Sequence, residues 1–516
     1  MFTTLGHIGR LLAIARVLAQ NDAMIFAEIH PATRFVARIA KVIWRPASNL
    51  KGLRPGQRLA LALATLGPAF IKFGQALSTR ADLLGDDVAA DLAELQDRLP
   101  PFAFKEAAAI IEADFGRPLT ALFSSIDETP VAAASIAQVH FAVTTEGEDV
   151  AVKVLRPSVK AAFKRDIALL HWLAELALQA VPKLQRLKPR DVVATFENTT
   201  RMEMDFRFEA AAAQELAENF AGDVTVKVPT VDWQRTSERV LTLERVSGLR
   251  VDDRINVQAA GLDPIAIVKT AAEAFFKMVF RHGFFHADLH PGNLFVTPEG
   301  TIVVMDFGIM GRIDPATQRT LGEMLLGFLT RDYKKVAEVH IHAGFVPAHK
   351  SVDDFAQACR SIAEPILGKP IAEISLARLL GQLFQITETF EMQTQPQLLL
   401  LQKSMLVIEG VGRNLAPETN MWELAKPMIE VWMREQLGPE AQVMTMAQSA
   451  MATLAKVPRI IDRVDAATAQ LQTHGLKLHP DTAQALRGNG AAGWTRWLPW
   501  ALAGVLLIVL LAQARS

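Results

Sequence analysis

The spacing of hydrophobic and polar positions along this 516-residue chain alternates between helical and strand-like patterns. Apolar residues recur with the period of an α-helix up to a proline-rich break at 99–102, and again over 103–115. Strand-like segments follow, and we predict strands over 136–143, 150–155, 224–231 and 239–246. Helical spacing returns over 158–181, 189–219 and 263–281, and then from 315 to about 475. This order predicts a helical extension, a strand-rich lobe and a helical lobe.

The segment 497–514 is uncharged and almost entirely apolar. As an α-helix it would be about 27 Å long, close to the ~30 Å hydrocarbon core of a bilayer. Trp494, Trp497 and Trp500 stand at its start, where aromatic residues meet the membrane interface. We therefore predict a single transmembrane helix, preceded by a glycine-rich linker over 481–496. A buried core helix is the alternative.

Charge and cysteine content narrow the class of protein. Lys and Arg number 54 against 55 Asp and Glu, so bulk charge gives no argument for nucleic acid as a partner. Residues 1–60 are basic and also amphipathic, which is typical of helices on an anionic membrane surface, or of an ordinary solvated helix face. The one cysteine, Cys359, excludes an internal disulfide and fits a reducing compartment.

A polar motif follows the helix predicted over 263–281. It contains Asp288, then Asn293, then Asp306 within an Asp-Phe-Gly sequence. Protein-kinase-like folds use this order and spacing for a catalytic base and two ligands of Mg²⁺. An Asp-Phe-Gly sequence alone is weak, because any acidic residue in a turn can supply it. The ordered set is much more specific.

Residues upstream of this motif could complete a nucleotide site. Lys153 lies on a predicted strand, from which a lysine reaches phosphates if a helix presents an acidic partner. The segment 132–135 (Ala-Ala-Ala-Ser) lies where such a lobe places its phosphate loop, although the alanine Cβ disfavours positive φ. Taken singly, a strand lysine is usually solvent-facing and Ala-Ala-Ala-Ser is an unremarkable linker. Lys72 and Gln75, on one face of a predicted helix, carry almost no weight alone.

Together these motifs resemble the UbiB family of atypical kinase-like proteins, which is associated with isoprenoid quinone (ubiquinone) biosynthesis. The markers occur in the family's order: Lys72-x-Gly74-Gln75, Ala132-Ala133-Ala134-Ser135, Lys153, Glu203-x-Asp205, His286-x-Asp288-x-His290-Pro-Gly-Asn293 and Asp306-Phe-Gly308. The resemblance implies an α+β, bilobal protein-kinase-like fold with a C-terminal transmembrane helix. Its regions are a helical N-terminal extension over 1–100, an N-lobe over 101–247, a helical C-lobe over 248–480, the linker 481–496 and the membrane helix 497–514.

The resemblance also implies roles for individual residues. Asp288 would be the catalytic base, with Asn293 and Asp306 as ligands of Mg²⁺. Lys153 would also be catalytic, in contact with the nucleotide phosphates and paired with Glu209. ATP or ADP would be held by residues of the N-lobe, namely Ala132, Ala133, Ala134, Ser135, Lys153 and Glu209. The helix bearing Lys72 and Gln75 would fold over the active site, where it meets two acidic residues, Glu203 and Asp205.

The function implied is that of a membrane-anchored atypical kinase or ATPase in the bacterial inner membrane, with its catalytic region in the cytoplasm. Its partners would be membrane lipids, quinone precursors and other ubiquinone-biosynthesis enzymes, without nucleic acid. The short segment between Asp306 and the helix predicted from 315 contains no Ala-Pro-Glu sequence, so the platform that holds a protein substrate in ordinary kinases is missing there. A lipid-like or small-molecule acceptor, or ATP hydrolysis coupled to lipid movement, fits that absence better.

Two other classes of function are open to the same residues. A non-catalytic scaffold would bind nucleotide and organise other membrane enzymes, although Lys153, Asp288, Asn293 and Asp306 are all present. An Fe(II) oxygenase could use His286, Asp288 and a distant histidine as a facial triad. That alternative leaves Lys153 and Asp306 unexplained, and we expect His282, His286 and His290 to be structural residues of a buried loop.

Overall fold

The structure is a computed structural model. It describes residues 2–24, 38–46, 50, 52–78, 84–93, 95, 99–180, 189–366, 386–387, 389–392, 396–419 and 427–432. The predicted linker and membrane helix, 481–514, lie outside the described residues. Among the helices that are described, none combines the length and the apolar character needed to cross a bilayer. The chain divides into two units, Met1–Met428 and Ile429–Ser516, and the kinase-like region belongs to the first.

The N-terminal extension is helical, as predicted. Its described helices include α1 (Phe2–Gln20), α2 (Pro55–Leu66), α3 (Pro68–Ser78) and α4 (Asp86–Ala93). They share a core with α6 (Val159–Ala180), a long helix of the next lobe, through residues that include Leu63, Phe70 and Leu169. Arg10 of α1 adds two hydrogen bonds of 2.9 Å to Asp166 of α6, whose carboxylate is buried. The extension is therefore packed onto the lobe that follows it.

The basic residues of this extension do not form one solvated stripe. Arg10 is turned towards Asp166, and both Lys41 and Arg58 pair with Asp22. Large apolar side chains are instead exposed here, namely Ile8, Leu12, Ile39, Val42 and Ile43. The amphipathic pattern is present, but part of its positive charge is used within the protein.

The N-lobe contains a five-stranded antiparallel sheet in the order β1-β3-β4-β6, with β2 paired to β3. Its strands are β1 (Phe123–Ile126), β2 (Ala132–Ala133), β3 (Ala137–Thr144), β4 (Asp149–Leu155) and β6 (Val240–Glu244). Helix α5 (Phe104–Phe115) covers one face, because its Ile110 and Ile111 pack on Val152 and Val154. The central position of β4 leaves its backbone paired on both sides.

Two predicted elements are corrected by the structure. The helix predicted over 189–219 is two helices, α7 (Pro189–Glu203) and α8 (Phe206–Asn219). Asp205 caps α8 by accepting the Arg207 N–H, and such a cap requires a non-helical backbone. The strand predicted over 224–231 is reduced to β5 (Val226–Lys227), since Pro229 cannot donate to a sheet ladder.

The C-lobe is mainly helical and carries two small sheets. One has the order β5-β10-β9-β7, with β7 (Leu249–Arg250), β9 (Leu294–Val296) and β10 (Ile302–Val304); the other pairs β8 (Phe284–His286) with β11 (Met310–Arg312). The described helices are α9 (Arg254–Ala259), α10 (Pro264–Phe276), α11 (Pro315–Leu329), α12 (Tyr333–His342), α13 (Val352–Ala363) and α14 (Pro396–Leu415). Helix α10 ends in a π-helical turn, Lys277–Arg281, directly before β8.

Gly74 lets α3 approach α2 closely. A Cβ at this position would lie 2.7 Å from Cδ1 of Leu63, which is buried in the core of the extension. We therefore expect Gly74→Ala to lower the free energy of unfolding by about 1–3 kcal/mol through overpacking, measured by urea denaturation. Gly9→Ala in α1 is the matched control, because no atom lies within 4 Å of its added Cβ. Alanine there should be neutral or stabilising by up to ~1 kcal/mol, and equal effects of both substitutions would contradict the packing argument.

Candidate active site

Lys153 lies at the centre of a cluster drawn from three elements. It projects from β4, and its Nζ donates to Oε1 and Oε2 of Glu209 on α8 at 2.8 and 3.0 Å. The same Nζ lies 3.2 Å from Oδ1 of Asp306, which comes from the loop after β10. The buried ring of Phe206 lies 5.4 Å from the ammonium and adds a cation–π contact. One ammonium thus joins the sheet, a helix of the N-lobe and the Asp-Phe-Gly segment.

The charges of Lys153, Glu209 and Asp306 shift one another's pKa values. Burial acts to lower the pKa of Lys153, but the carboxylates of Asp306 and Glu209 outweigh it and raise that pKa above its usual value. The positive charge of Lys153 is in turn the main cause of a depressed pKa of Asp306, to which the ammonium of Lys72 also contributes. Burial raises the pKa of Glu209 to about 7, against the opposing effect of Lys153. Asp306 and Lys153 are therefore firmly ionised at neutral pH.

Asp306 adopts an unusual backbone conformation. Its φ is +62°, in the left-handed region that non-glycine residues seldom enter, at a cost of roughly 1–2 kcal/mol. Strain of this kind persists where surrounding contacts determine the backbone, and it clusters at functional sites. Here the contact with Lys153 holds the side chain, while the N–H of Met305 donates to the Asn293 carbonyl at 2.9 Å and holds the preceding residue.

The loop that bears Asp288 and Asn293 (287–293), which we call the catalytic loop after its predicted role, is positioned by His286 at the end of β8. Its ring is fully buried, with Nε2 3.0 Å from the Met305 carbonyl and Nδ1 accepting the Asp288 N–H at 3.2 Å. These partners require the neutral tautomer with the proton on Nε2, and burial lowers the pKa of His286 accordingly. Since neither ring nitrogen has a lone pair directed at a metal, His286 does not fit the iron ligand that the oxygenase alternative assigns to it.

Asn293 is the last residue of this loop, and its side chain contacts the backbone of Asp288. It ends the short 3₁₀ helix Pro291–Asn293, and its Nδ2 donates to the Asp288 carbonyl at 3.3 Å. Because the amide nitrogen is used in this way, Oδ1 is the side-chain atom that can face a cation. Asn293 Oδ1 and the Asp306 carboxylate are hard oxygen donors of the type that Mg²⁺ prefers. The donor set therefore fits the magnesium ion that the sequence predicted.

The carboxylate of Asp288 meets a residue that the sequence pattern did not single out. Lys403 of α14 donates to Oδ1 of Asp288 at 2.6 Å. Burial tends to raise the pKa of Asp288, but the adjacent Lys403 ammonium more than offsets it and lowers that pKa. The neighbouring Ser404, fully buried, donates to the His286 carbonyl at 2.9 Å. The signal available in the sequence was the polar triplet Gln402-Lys403-Ser404 between two apolar runs of this helix, 398–401 and 405–408.

Only part of the predicted cover over the site is arranged as the resemblance implies. Lys72 of α3 lies 3.1 Å from Glu203, the last residue of α7, and both side chains are largely buried. Asp205 is bound instead to Arg207, at 2.6 and 2.8 Å. Gln75 donates to the Leu95 carbonyl at 3.4 Å. The break between α7 and α8 separates the two acidic residues and gives them different partners.

The alanine-rich segment is a closed turn rather than an open loop. Ala132 and Ala133 form β2 and pair with Val139 and Gln138 of β3, and the Ala134 N–H donates to the Ala137 carbonyl at 2.8 Å. Ser135 is fully buried. The Ala134 N–H is therefore not among those that could meet a phosphate. Arg156, another residue that sequence reasoning missed, donates to the Ala134 carbonyl at 2.9 Å and fastens the turn to the end of β4.

Comparison with known proteins agrees with this geometry. The chain matches the ABC1 atypical kinase-like domain over residues 94–340 and the UbiB helical domain over residues 359–420. A probable protein kinase UbiB from Aeromonas hydrophila is 40% identical over 511 residues, covering 97% of this chain and 93% of the relative. Another, from Pseudomonas putida, is 44% identical over 402 residues, covering 77% of this chain and 74% of the relative.

A solved structure supports the fold alone. It is that of Rv3197 from Mycobacterium tuberculosis in complex with erythromycin, with a TM-score of 0.51 and 24% identity, covering 68% of this chain and 90% of that one. The fold and the Lys153 cluster define the class, which is that of atypical kinase-like enzymes. Within it, the extent and identity of the matches place the chain in one family. The chain belongs to the UbiB family, and it is an atypical kinase or ATPase.

The raised pKa of Glu209 predicts a pH-dependent nucleotide affinity. Below about pH 7 the carboxyl takes up a proton and no longer accepts both hydrogen bonds from Lys153. We expect the Kd for Mg-ADP to rise as the pH falls from about 8 to about 6, measured by calorimetry on the full-length protein. Glu209→Gln is uncharged throughout, so it should bind weakly at every pH.

Protonation of Mg-ADP itself affects the wild type and Glu209→Gln equally, so it cancels when their pH curves are compared. Glu215→Gln, on the same helix but paired with Arg312, is the control and should keep the wild-type pH dependence. Parallel curves for the wild type and Glu209→Gln would contradict the assignment of the titration to Glu209.

Proposed function

We propose that this chain binds Mg-ATP or Mg-ADP between its lobes and transfers or releases the γ-phosphoryl group in support of isoprenoid quinone biosynthesis at a membrane. The observation that carries the proposal is the Lys153 ammonium held between Glu209 and Asp306. In kinase-like folds this lysine contacts nucleotide phosphates while the helix glutamate fixes it. Membership of the UbiB family supports the link with quinone biosynthesis.

Each residue of the site has a chemical part in this proposal. Asn293 and Asp306 would hold Mg²⁺, which supplies positive charge at the phosphates when it is bound. Asp288, held by backbone contacts of the catalytic loop, would accept the proton of the attacking hydroxyl or water. The turn Ala132–Ser135 would lie over the nucleotide. The helix that bears Lys72 and Gln75 would regulate access through Glu203, with Asp205 shaping the adjoining break between α7 and α8.

The acceptor would be small or lipid-like. From Asp306 the chain runs directly into β11, which pairs with β8, and then into α11 from Pro315. The short connection leaves little backbone for a surface that binds a protein substrate. Quinone precursors and membrane lipids would be reached from the membrane side, through the apolar segment 497–514 and the exposed apolar residues Ile8 and Leu12 of α1. Other ubiquinone-biosynthesis enzymes are the protein partners that this proposal implies.

Loss of the catalytic base tests the enzymatic part of the proposal. In liposomes, the purified wild type should release phosphate from Mg-ATP, and Asp288→Asn should lower the rate by at least ~100-fold with little change in nucleotide affinity. Asp353→Asn, which makes the same change on the exposed first turn of α13, should leave the rate unaltered. Equal phosphate release by the wild type and Asp288→Asn would overturn the enzymatic function.

Cells that lack the chain provide the complementary test. Their quinone-precursor profile should be restored by the wild type and not by Asp288→Asn. Restoration by Asp288→Asn would instead favour a nucleotide-binding scaffold that organises other enzymes of the pathway.

The membrane anchor is tested by charge placed at its centre. Leu506→Arg combined with Leu507→Arg should release the protein from membranes, because an arginine at the bilayer centre costs roughly 2.5–3.5 kcal/mol. Gln513→Arg combined with Ala514→Arg places the same two charges at the end of the segment and is the control. Fractionation after a high-salt wash measures the outcome. Retention of the doubly substituted protein would show that other residues hold it at the membrane.

A further inference from the structure

We propose that Lys403 is a catalytic residue, whose ammonium stabilises the phosphoryl group as it is transferred beside Asp288. The inference deepens the proposed function and rests on it, since it assigns a role within the same Mg-nucleotide reaction. It concerns a helix that lies outside the residues matched by the ABC1 kinase-like domain, which end at 340.

The position of the ammonium is the first argument. Nζ of Lys403 lies 2.6 Å from Oδ1 of Asp288, the carboxylate that would accept the proton of the attacking oxygen. In phosphoryl transfer that oxygen approaches the γ-phosphorus in line with the leaving oxygen. A cation in contact with the base is therefore adjacent to the equatorial phosphoryl oxygens, on which negative charge is concentrated. Preorganised donors aimed at such charge are a principal source of catalysis.

The backbone of Lys403 is held by its buried neighbours, whereas its ammonium group is exposed to solvent and can change partner. Ser404, the next residue, is fully buried and donates to the His286 carbonyl at 2.9 Å. Leu401 and Ile408 are buried on the same helix. By contrast, the side chain of Lys403 is 50% exposed and that of Asp288 is 38% exposed. An ion pair this exposed is weak, so the ammonium can pass to the more highly charged phosphate at small cost.

The neighbouring basic side chains have other partners. Lys153 is held by Glu209 and Asp306, and Lys72 lies against Glu203. His290 follows Asp288 closely along the chain, but its Nδ1 accepts the Gly292 N–H at 3.1 Å and so caps the 3₁₀ helix. Within the part of the chain that the structure describes, Lys403 is the cation that contacts the Asp288 carboxylate.

In the phosphoryl-transfer step, Lys403 acts only as a hydrogen-bond donor. The oxygen of water or of an acceptor hydroxyl forms a bond to the γ-phosphorus and passes its proton to Asp288. The bond between the γ-phosphorus and the bridging oxygen breaks, and ADP leaves with that electron pair. Lys403 keeps its proton and donates a hydrogen bond to an equatorial oxygen, so it stabilises charge without being consumed.

Lys403→Met removes the charge while keeping a long, unbranched helix-forming side chain. In the full-length protein, we expect kcat for phosphate release from Mg-ATP to fall by about 10- to 100-fold, with Mg-ADP affinity changed by less than about two-fold. Lys403→Arg should recover part of the rate. The control is Lys335→Met, since Lys335 is 52% exposed and also forms an ion pair, with Glu323, away from the site.

A second measurement needs no turnover. Aluminium fluoride with Mg-ADP mimics the phosphoryl group in transfer, so the wild type and Lys335→Met should bind Mg-ADP more tightly when it is added. Lys403→Met should lose most of this gain in affinity, and Lys403→Arg should regain part of it. If Lys403→Met fails to fold, the arginine variant still provides the test.

The outcomes separate this inference from the function on which it rests. If the wild-type protein does not bind Mg-ADP, both the proposed function and the role of Lys403 are overturned. If aluminium fluoride raises the affinity for Mg-ADP equally in the wild type and in Lys403→Met, the role of Lys403 is overturned and the proposed function is left intact. Faster phosphate release by Lys403→Met would also overturn the role of Lys403, because Lys403 would then mask Asp288 instead of assisting it.

Discussion

The contact on which the site depends is the Lys153 ammonium between two carboxylates. Glu209 reaches it from α8 and Asp306 from the segment after β10, so the interaction joins elements that are distant in sequence. Its geometry rests on the register of β4, which is paired on both sides, with Lys153 opposite Val139 and Leu241. The positive φ of Asp306 is tolerable because Lys153 holds its side chain in place. Without the cation, two carboxylates would face each other and one would take up a proton.

The N-terminal extension is connected to this contact through one short break in the chain. Lys72 touches Glu203 at the end of α7, Asp205 caps the start of α8, and Glu209 lies on the first turn of α8. The position of α3 therefore bears on the helix that supplies the partner of Lys153. Gly74 sets how closely α3 can approach α2, so this small residue influences the geometry of the site at a distance.

Local sequence was sufficient to predict the elements that are encoded by residues close together in the chain. The strand that carries Lys153, the loop of Asp288 and Asn293, and the structural role of His286 follow from short motifs and periodicity. The break at Asp205 could not be seen in this way, because apolar spacing continues across it and only the cap distinguishes two helices from one. The shortened strand at Val226 reflects Pro229, a local signal that the alternating pattern obscured. Lys403 was missed because its partner lies far away in sequence and no local pattern encodes that contact.

The helix that bears Lys403 and Ser404 changes what counts as the catalytic unit. These residues lie within 359–420, the part matched by the UbiB helical domain, whereas the kinase-like match ends at 340. Yet Ser404 donates to the backbone carbonyl of His286, and Nδ1 of His286 in turn accepts the backbone N–H of Asp288. Displacement of α14 would leave the His286 carbonyl buried without its donor and would free the loop to move. The helical domain thus contributes to the candidate active site, and the residues up to 340 alone would lack the contact that Ser404 makes with the loop of Asp288.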